Sequence, residues 1–285
     1  MIGRAVTAAV APNRGKRTEG VYMGRISVLL GSVVLMLVVG GSIASAAKPG
    51  SGSCSGGAPG FGNAEVIPAG TYNGFTVTGY CVFGPGTMTI DGNLTIAEGA
   101  QLNDHASGQS ESVHVTGNVT VGAGAVLGLG NYNPVPPHNS AIVDGNITAR
   151  QPETMYLGGM TVHGNVVSSG GGNPASHRNF PIKDDTIDGN LIVQGWDGFW
   201  LGVIRVNVGG NVIFDNNSGT QVGLPGTEFE GILDSNEIVS NVIEGNLICH
   251  GNTPPAQIGD AILDEGNGLN TVGGNAIGEC ADLAG

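Results

Sequence analysis

The chain has 285 residues, 52 of them Gly, with 40% hydrophobic, 5% aromatic and 12% charged residues. A charged fraction about half the usual ~25% argues against an ordinary helical or α/β enzyme domain. Evenly distributed Val, Ile and Leu supply the core material that a disordered Gly-rich linker lacks, and the formal charge of −13 argues against nucleic-acid binding, which needs a basic surface against phosphates.

The chain begins with a targeting pattern. Met23-Gly24-Arg25 precedes the apolar run Ile26 to Val39, and Ala44-Ser45-Ala46 follows. A short basic region, an apolar stretch of about 14 residues and an Ala-x-Ala site predict a secretory signal over residues 1–46, cleaved after Ala46. The run falls short of the ~20 apolar residues of a membrane span, so no membrane association is expected after cleavage. Residues 1–22 are basic and unpatterned, and read either as an extension of the basic region or as the product of a misread start, for which Met23 is the better candidate. Cleavage would leave five basic residues against 22 acidic ones, a balance of −17. The product is then expected to be extracellular, or loosely attached to the cell surface. Residues 47–64 read as a Gly-rich linker or cap, and 65–285 as one domain.

Four cysteines, Cys54, Cys81, Cys249 and Cys280, suit an oxidising compartment. Three connectivities are open. The pairing Cys54–Cys81 with Cys249–Cys280 is favoured, because each pair sits near one end of the domain.

Between those ends one unit recurs: β-branched residue, any residue, Gly, Asn, apolar residue. Its asparagines are Asn93, Asn118, Asn146, Asn165, Asn190, Asn211, Asn246 and Asn275, and Val or Ile stands three residues before each of them. A meander of Gly-Asn hairpins would show turns every 8–12 residues. Here successive Asn residues are separated by 25, 28, 19, 25, 21, 35 and 29 positions. That spacing suits one coil of three short strands, and predicts an all-β, single-stranded parallel β-helix of about eight to nine coils with disulfide-capped ends. Gly is expected to permit the bend or the positive φ of a corner, and Asn to tolerate left-handed geometry, to bond its own backbone and to stack along the axis as a ladder.

Strand alternation places the residues flanking each corner inward, with Ile96, Val121, Val193 and Phe214 inward further along and Ser168 as a weak point. The intervening row faces outward: Thr95, Thr120, Thr148, then Val167, Ile192, Ile213, Ile248 and Ile277. Such an apolar stripe invites a partner, a second copy among them.

The runs Thr71–Gly79 (TYNGFTVTG), Met88–Leu102 (MTIDGNLTIAEGAQL) and Val115–Leu127 (VTGNVTVGAGAVL) resemble exported bacterial β-helix repeat proteins of the pectate-lyase-like, right-handed β-solenoid superfamily. The resemblance spans about residues 65–280. It implies the fold and leaves the activity open, since that superfamily includes polysaccharide lyases, glycosidases, adhesins and members without assigned function.

Three kinds of site are candidates. Asp184, Asp185 and Asp215 with Arg205 would be an acid/base or calcium-binding set on adjacent coils. Trp196, Asp197 and Trp200, extended by Tyr156, would form a platform for sugar rings. Calcium at Asp215–Asn217 or at Asp260–Glu265 is a weaker candidate; no other cofactor is expected. The histidines at 105, 114, 138, 163, 177 and 250 show no metal-ligand spacing and read as surface residues. With no recognisable catalytic set, the leading expectation is a non-catalytic surface or matrix interaction module, contacting polysaccharide or cell-surface glycan. A polysaccharide lyase or hydrolase and a carbohydrate-binding module are the alternatives.

Overall fold

Each Gly-Asn unit marks a corner where the chain passes from one parallel sheet to the next. In a computed structural model, three sheets run along the domain, with ten, eight and nine strands, and every strand pair in them is parallel. The structure describes residues 50–285 apart from 58–63, 104–110, 132–139, 223–230, 232 and 260–267. The signal over 1–46, the linker residues 47–49 and 58–63, the Asp260–Glu265 candidate, His105 and His138 lie outside the described residues. The molecule is a parallel β-solenoid.

One coil illustrates the winding. Asn179–Lys183 lies in the eight-stranded sheet, Thr186–Ile187 in the nine-stranded sheet and Leu191–Gln194 in the ten-stranded sheet. The corner Asp188-Gly189-Asn190 joins the last two. Alternation then fills the tube: Ile182, Ile187, Leu191 and Val193 are buried, as are Ile96, Val121 and Phe214 at the equivalent inward positions. Ser168 does point inward, and its hydroxyl has no hydrogen-bond partner there.

The corners are held by a continuous polar ladder. The Oδ1 of Asn165 accepts the backbone N–H of Asn190 at 2.8 Å and its side-chain amide at 2.9 Å. The next step, Asn190 to Asn211, repeats this at 2.8 and 3.1 Å, and the backbone bond recurs from Asn93 to Asn118 at one end and from Asn246 to Asn275 at the other. Beside it the Gly189 N–H donates to the Gly164 carbonyl at 3.1 Å, and the Val166 N–H to the Asn190 carbonyl at 2.9 Å. The corner asparagines are therefore neither left-handed nor bonded to their own backbone. They complete the backbone pairing of the next coil.

The corner glycines stand at bends as expected, but positive φ is not what most of them supply. Among the eight corners, only Gly92 has φ in the left-handed range, at 130°. Elsewhere the requirement is space: a Cβ at Gly189 would lie 2.7 Å from both Asn165 Oδ1 and the Gly164 carbonyl oxygen. Gly is present because the ladder passes where a side chain would start.

Two further columns carry polar groups inward in the later coils. Asn217 Oδ1 accepts the Trp196 N–H at 3.1 Å, Asn252 Oδ1 accepts the Asn217 N–H at 2.9 Å, and the Glu279 carboxylate ends the row by accepting from Asn252 at 3.0 and 2.8 Å. Burial pushes the Glu279 carboxyl up, but the bonds from Asn252, Ala256 and Gly251 outweigh it and hold the group below the usual carboxylate range. In the other column, Asp185, Asn241 and Asn270 accept the backbone N–H groups of Met160, Val206 and Asn241 at 2.9, 2.8 and 3.0 Å.

The two ends are tied as anticipated, by Cys54–Cys81 and Cys249–Cys280, closing segments of 27 and 31 residues. At the C-terminal end the short 3-10 helix Ala281–Leu283 follows the second disulfide, and Leu283 packs against the core. Such ends limit edge-to-edge association of a solenoid.

Asn190→Ala would leave the Asn211 N–H without its acceptor in the middle of the ladder. The expected loss is about 1–3 kcal/mol in denaturant unfolding, against less than about 0.5 kcal/mol for Asn275→Ala, whose side chain supports no later coil.

Candidate functional site

The acid/base candidates are separated by the same alternation that builds the tube. Asp184 and Asp185 occupy the turn between the eight- and nine-stranded sheets and face opposite ways. Asp184 is outside, bound by Arg205 through Nε–Oδ1 at 2.6 Å and Nη2–Oδ2 at 2.8 Å. Asp185 is inside and 1% exposed. Its burial pushes the carboxyl well above the usual range; the Asp184 charge adds to this, and the backbone N–H groups of Met160 and Lys183 only partly offset it. Asp215 belongs to the ten-stranded sheet, where it accepts the His250 backbone N–H at 3.0 Å. Of the four residues only Asp184 and Arg205 are brought together, and there the Arg205 charge is matched by Asp184.

The aromatic platform is corrected more sharply. Trp196 is 1% exposed and fills the tube, its Nε1–H donating to the Glu153 carbonyl at 3.2 Å and its ring meeting Phe180 edge-on at 5.5 Å. Trp200 lies outside the tube but is equally unavailable. It lies across Gly202, among Ile204 and Val239 with Phe199 and Ile258, and the Lys183 ammonium sits 4.9 Å from its ring centre. Asp197 is exposed and accepts the Ser218 hydroxyl. Tyr156 is half-buried on the outer face of the eight-stranded sheet, in register with Gly128. Neither indole face is open to a sugar.

The calcium candidate at Asp215–Asn217 is also divided, with Asn217 buried in its ladder. Among the described residues no three His, Cys, Asp or Glu side chains converge as metal ligands. His114 and His163 do sit at the surface, each paired with a carboxylate of the corner row: His114 with Asp144 at 2.9 Å and His163 with Asp188 at 2.7 Å. The hydrogen bond to Asp188 raises the His163 pKa against the small opposing effect of burial, and the Asp188 and Asp144 charges add to it.

On the outer face of the ten-stranded sheet Thr120 and Ile277 are exposed, while Thr95, Thr148, Val167, Ile192, Ile213 and Ile248 are half-buried. Thr95, Thr120 and Thr148 stand in register and continue into Val167, Ile192, Ile213, Ile248 and Ile277. Over the first to fourth Gly-Asn coils this face forms a groove of about 720 Å³, lined by Thr120, Thr148, Val167, Arg150, Gln151 and Glu98. Arg150 and Glu98 are exposed. Arg178 pairs with Glu153, Arg205 with Asp184, and Lys183 lies over Trp200. Among the described residues the Arg150 guanidinium alone of these cations has neither an ion pair nor an aromatic partner. Nothing in the repeat singled out Arg150. Its signal was scarcity: it is one of five basic residues after position 46.

No protein-family model, curated protein or solved structure matches the chain.

Trp196→Ala is expected to lower unfolding stability by about 3–5 kcal/mol, the cost of emptying a large aromatic site in a packed core. Arg150→Ala should change it by less than about 0.5 kcal/mol. Equal, small effects of the two substitutions in guanidinium melts would contradict this division between core and surface.

Proposed function

We propose that the protein is an exported, non-catalytic β-solenoid that acts as a surface or matrix interaction module. Its ligand-contact face is the outer face of the ten-stranded sheet. The observation that carries this reading is the division of its polar groups. Asp184, Asp185, Asp215 and Arg205 are engaged in contacts that build the coils, while the groove around Arg150 offers hydroxyls and an unmatched cation. The Thr rows repeat at the ~4.8 Å strand spacing and suit an extended, hydroxyl-rich chain. Arg150 suits a carboxylate or sulfate borne by it, because a guanidinium recognises such groups bidentately. A sparsely charged glycan of a matrix or cell surface has that chemistry, since the net negative charge of the chain and Glu98 in the same groove oppose a densely anionic one.

Export rests on the signal pattern of residues 1–46 and is supported by the two disulfides, which suit an oxidising environment. Membership of the pectate-lyase-like superfamily rests on the Gly-Asn repeat and the parallel winding. The lyase or hydrolase alternative has less support, because its carboxylates face separate surroundings. The sugar-stacking alternative loses its platform with the burial of Trp196 and Trp200.

The aliphatic stripe extends the face beyond the groove. Five side chains at ~4.8 Å spacing cover a strip about 20 Å long and roughly 10 Å wide, about 200 Å², well short of the ~800 Å² per partner of a stable complex. It adds to a ligand or lateral contact and does not by itself hold a dimer.

The test is binding of the secreted chain to immobilised acidic and neutral polysaccharides, with product analysis on the same samples. Acidic chains are expected to be retained without new chain ends, and Arg150→Ala to weaken retention at least tenfold. Bond cleavage lost in Asp185→Ala, or retention unchanged by Arg150→Ala, would overturn the reading.

A further inference from the structure

Asp185 occupies a column in which the other polar members are amides. The residues just before successive strands of the nine-stranded sheet are Met160, Asp185, Val206, Asn241 and Asn270, as the register of those strands sets them. Asn241 and Asn270 use their groups in one way. Each Oδ1 accepts the backbone N–H of the column residue one coil back, at 2.8 and 3.0 Å. Each Nδ2 donates to the carbonyl three residues before that column residue: Asn241 to Val203 and Asn270 to Ile238, both at 2.9 Å.

Asp185 reproduces the first half of this pattern, with Oδ1 accepting the Met160 N–H at 2.9 Å. Its Oδ2, the counterpart of that amide nitrogen, is buried and has no hydrogen-bond partner, and the backbone N–H groups of Met160 and Lys183 are what favours the charged form. The equivalent carbonyl, three residues before Met160, is that of Leu157. A carboxylate oxygen cannot donate to a carbonyl, and an unpaired charge inside an apolar tube is costly. A neutral carboxylic acid can donate, and then has the hydrogen-bonding pattern of asparagine.

Among the described residues the surroundings offer no side-chain cation to compensate an ionised group. On its own turn Asp184 is a like charge, already held by Arg205 of the next coil. Lys183 directs its ammonium over the Trp200 ring on the outside. The preceding turn, Gly158 to Met160, has no titratable side chain, and the tube around it is lined by Leu157, Val162, Ile182, Ile187, Val203 and Val206.

We infer that Asp185 is a protonated acid serving as an amide surrogate, its Oδ2–H donating to the Leu157 carbonyl, and that this makes the fifth Gly-Asn coil a pH-sensitive latch. Protonated, it ties two coils together. Ionised, it loses its donor and leaves a charge in the core, loosening the turn that also presents the Asp184–Arg205 pair. The sign follows from linkage. The native state holds a proton that the unfolded state releases in the ordinary carboxylate range, so the latch is fully effective below that range and is lost as pH rises through the native titration.

Asp185→Asn tests this, because it fixes the neutral pattern. Denaturant unfolding of both proteins is followed from acid to alkaline pH. The wild-type folding constant is expected to fall relative to the variant by up to about tenfold per pH unit above the ordinary carboxylate range. The variant is then at least tenfold more stable at neutral pH. Infrared spectra of the folded proteins supply a second readout: the carbonyl stretch of a protonated carboxyl at neutral pH, missing in Asp185→Asn. Parallel stability curves, an unstable or unfolded Asp185→Asn protein, or the lack of that band in wild type would each overturn the inference.

Discussion

A chain that climbs one rung per turn must bend at every corner, and at a bend some backbone N–H groups are carried away from the carbonyls that would pair them in a straight strand. Buried polar groups without partners are costly, so a solenoid exists only where its corners are satisfied. Here the corner asparagine supplies the acceptor for the N–H of the next coil, and its amide is in turn bonded to the Asn before it. The Gly before it keeps the path clear. Everything else is arranged around that line: three sheets in register, an aliphatic tube, and loops of varied length inserted between corners.

The ladder explains why architecture was legible from sequence. A requirement repeated at eight corners leaves eight copies of one short pattern, and alternation on either side of it assigns inward and outward residues without further information. The inward set and the outward Thr-to-Ile row follow from this. The positive φ assigned to Gly did not. A sequence motif reports that a side chain is forbidden, and it cannot distinguish left-handed backbone from a neighbour 2.7 Å away.

The other columns were hidden because they do not recur throughout. Asn217, Asn252 and Glu279 form a row of only three side chains, and Asp185, Asn241 and Asn270 share their column with Met160 and Val206. Nothing in the local sequence marks these residues as equivalent; the loops between them change length, and only the strand register aligns them. The tryptophans failed for a related reason. Trp196 and Trp200 are four residues apart, which within one strand would place them on the same face. The chain turns between them, so one fills the tube and the other is covered on its outside. Rare aromatic residues in a chain poor in them were used for packing, and the outer face was left to Thr, aliphatic residues and a single unmatched Arg.

The account stands on the corner hydrogen bonds, and amide hydrogen exchange reads them residue by residue. The N–H groups of Asn146, Asn165, Asn190 and Asn211 donate to the Oδ1 of the preceding corner Asn and not to a strand carbonyl, yet should exchange as slowly as the strand amides of Leu191 and Val212 beside them. Exchange of those Asn amides at the rate of exposed loops, with the neighbouring strands still protected, would contradict the ladder and the winding built upon it.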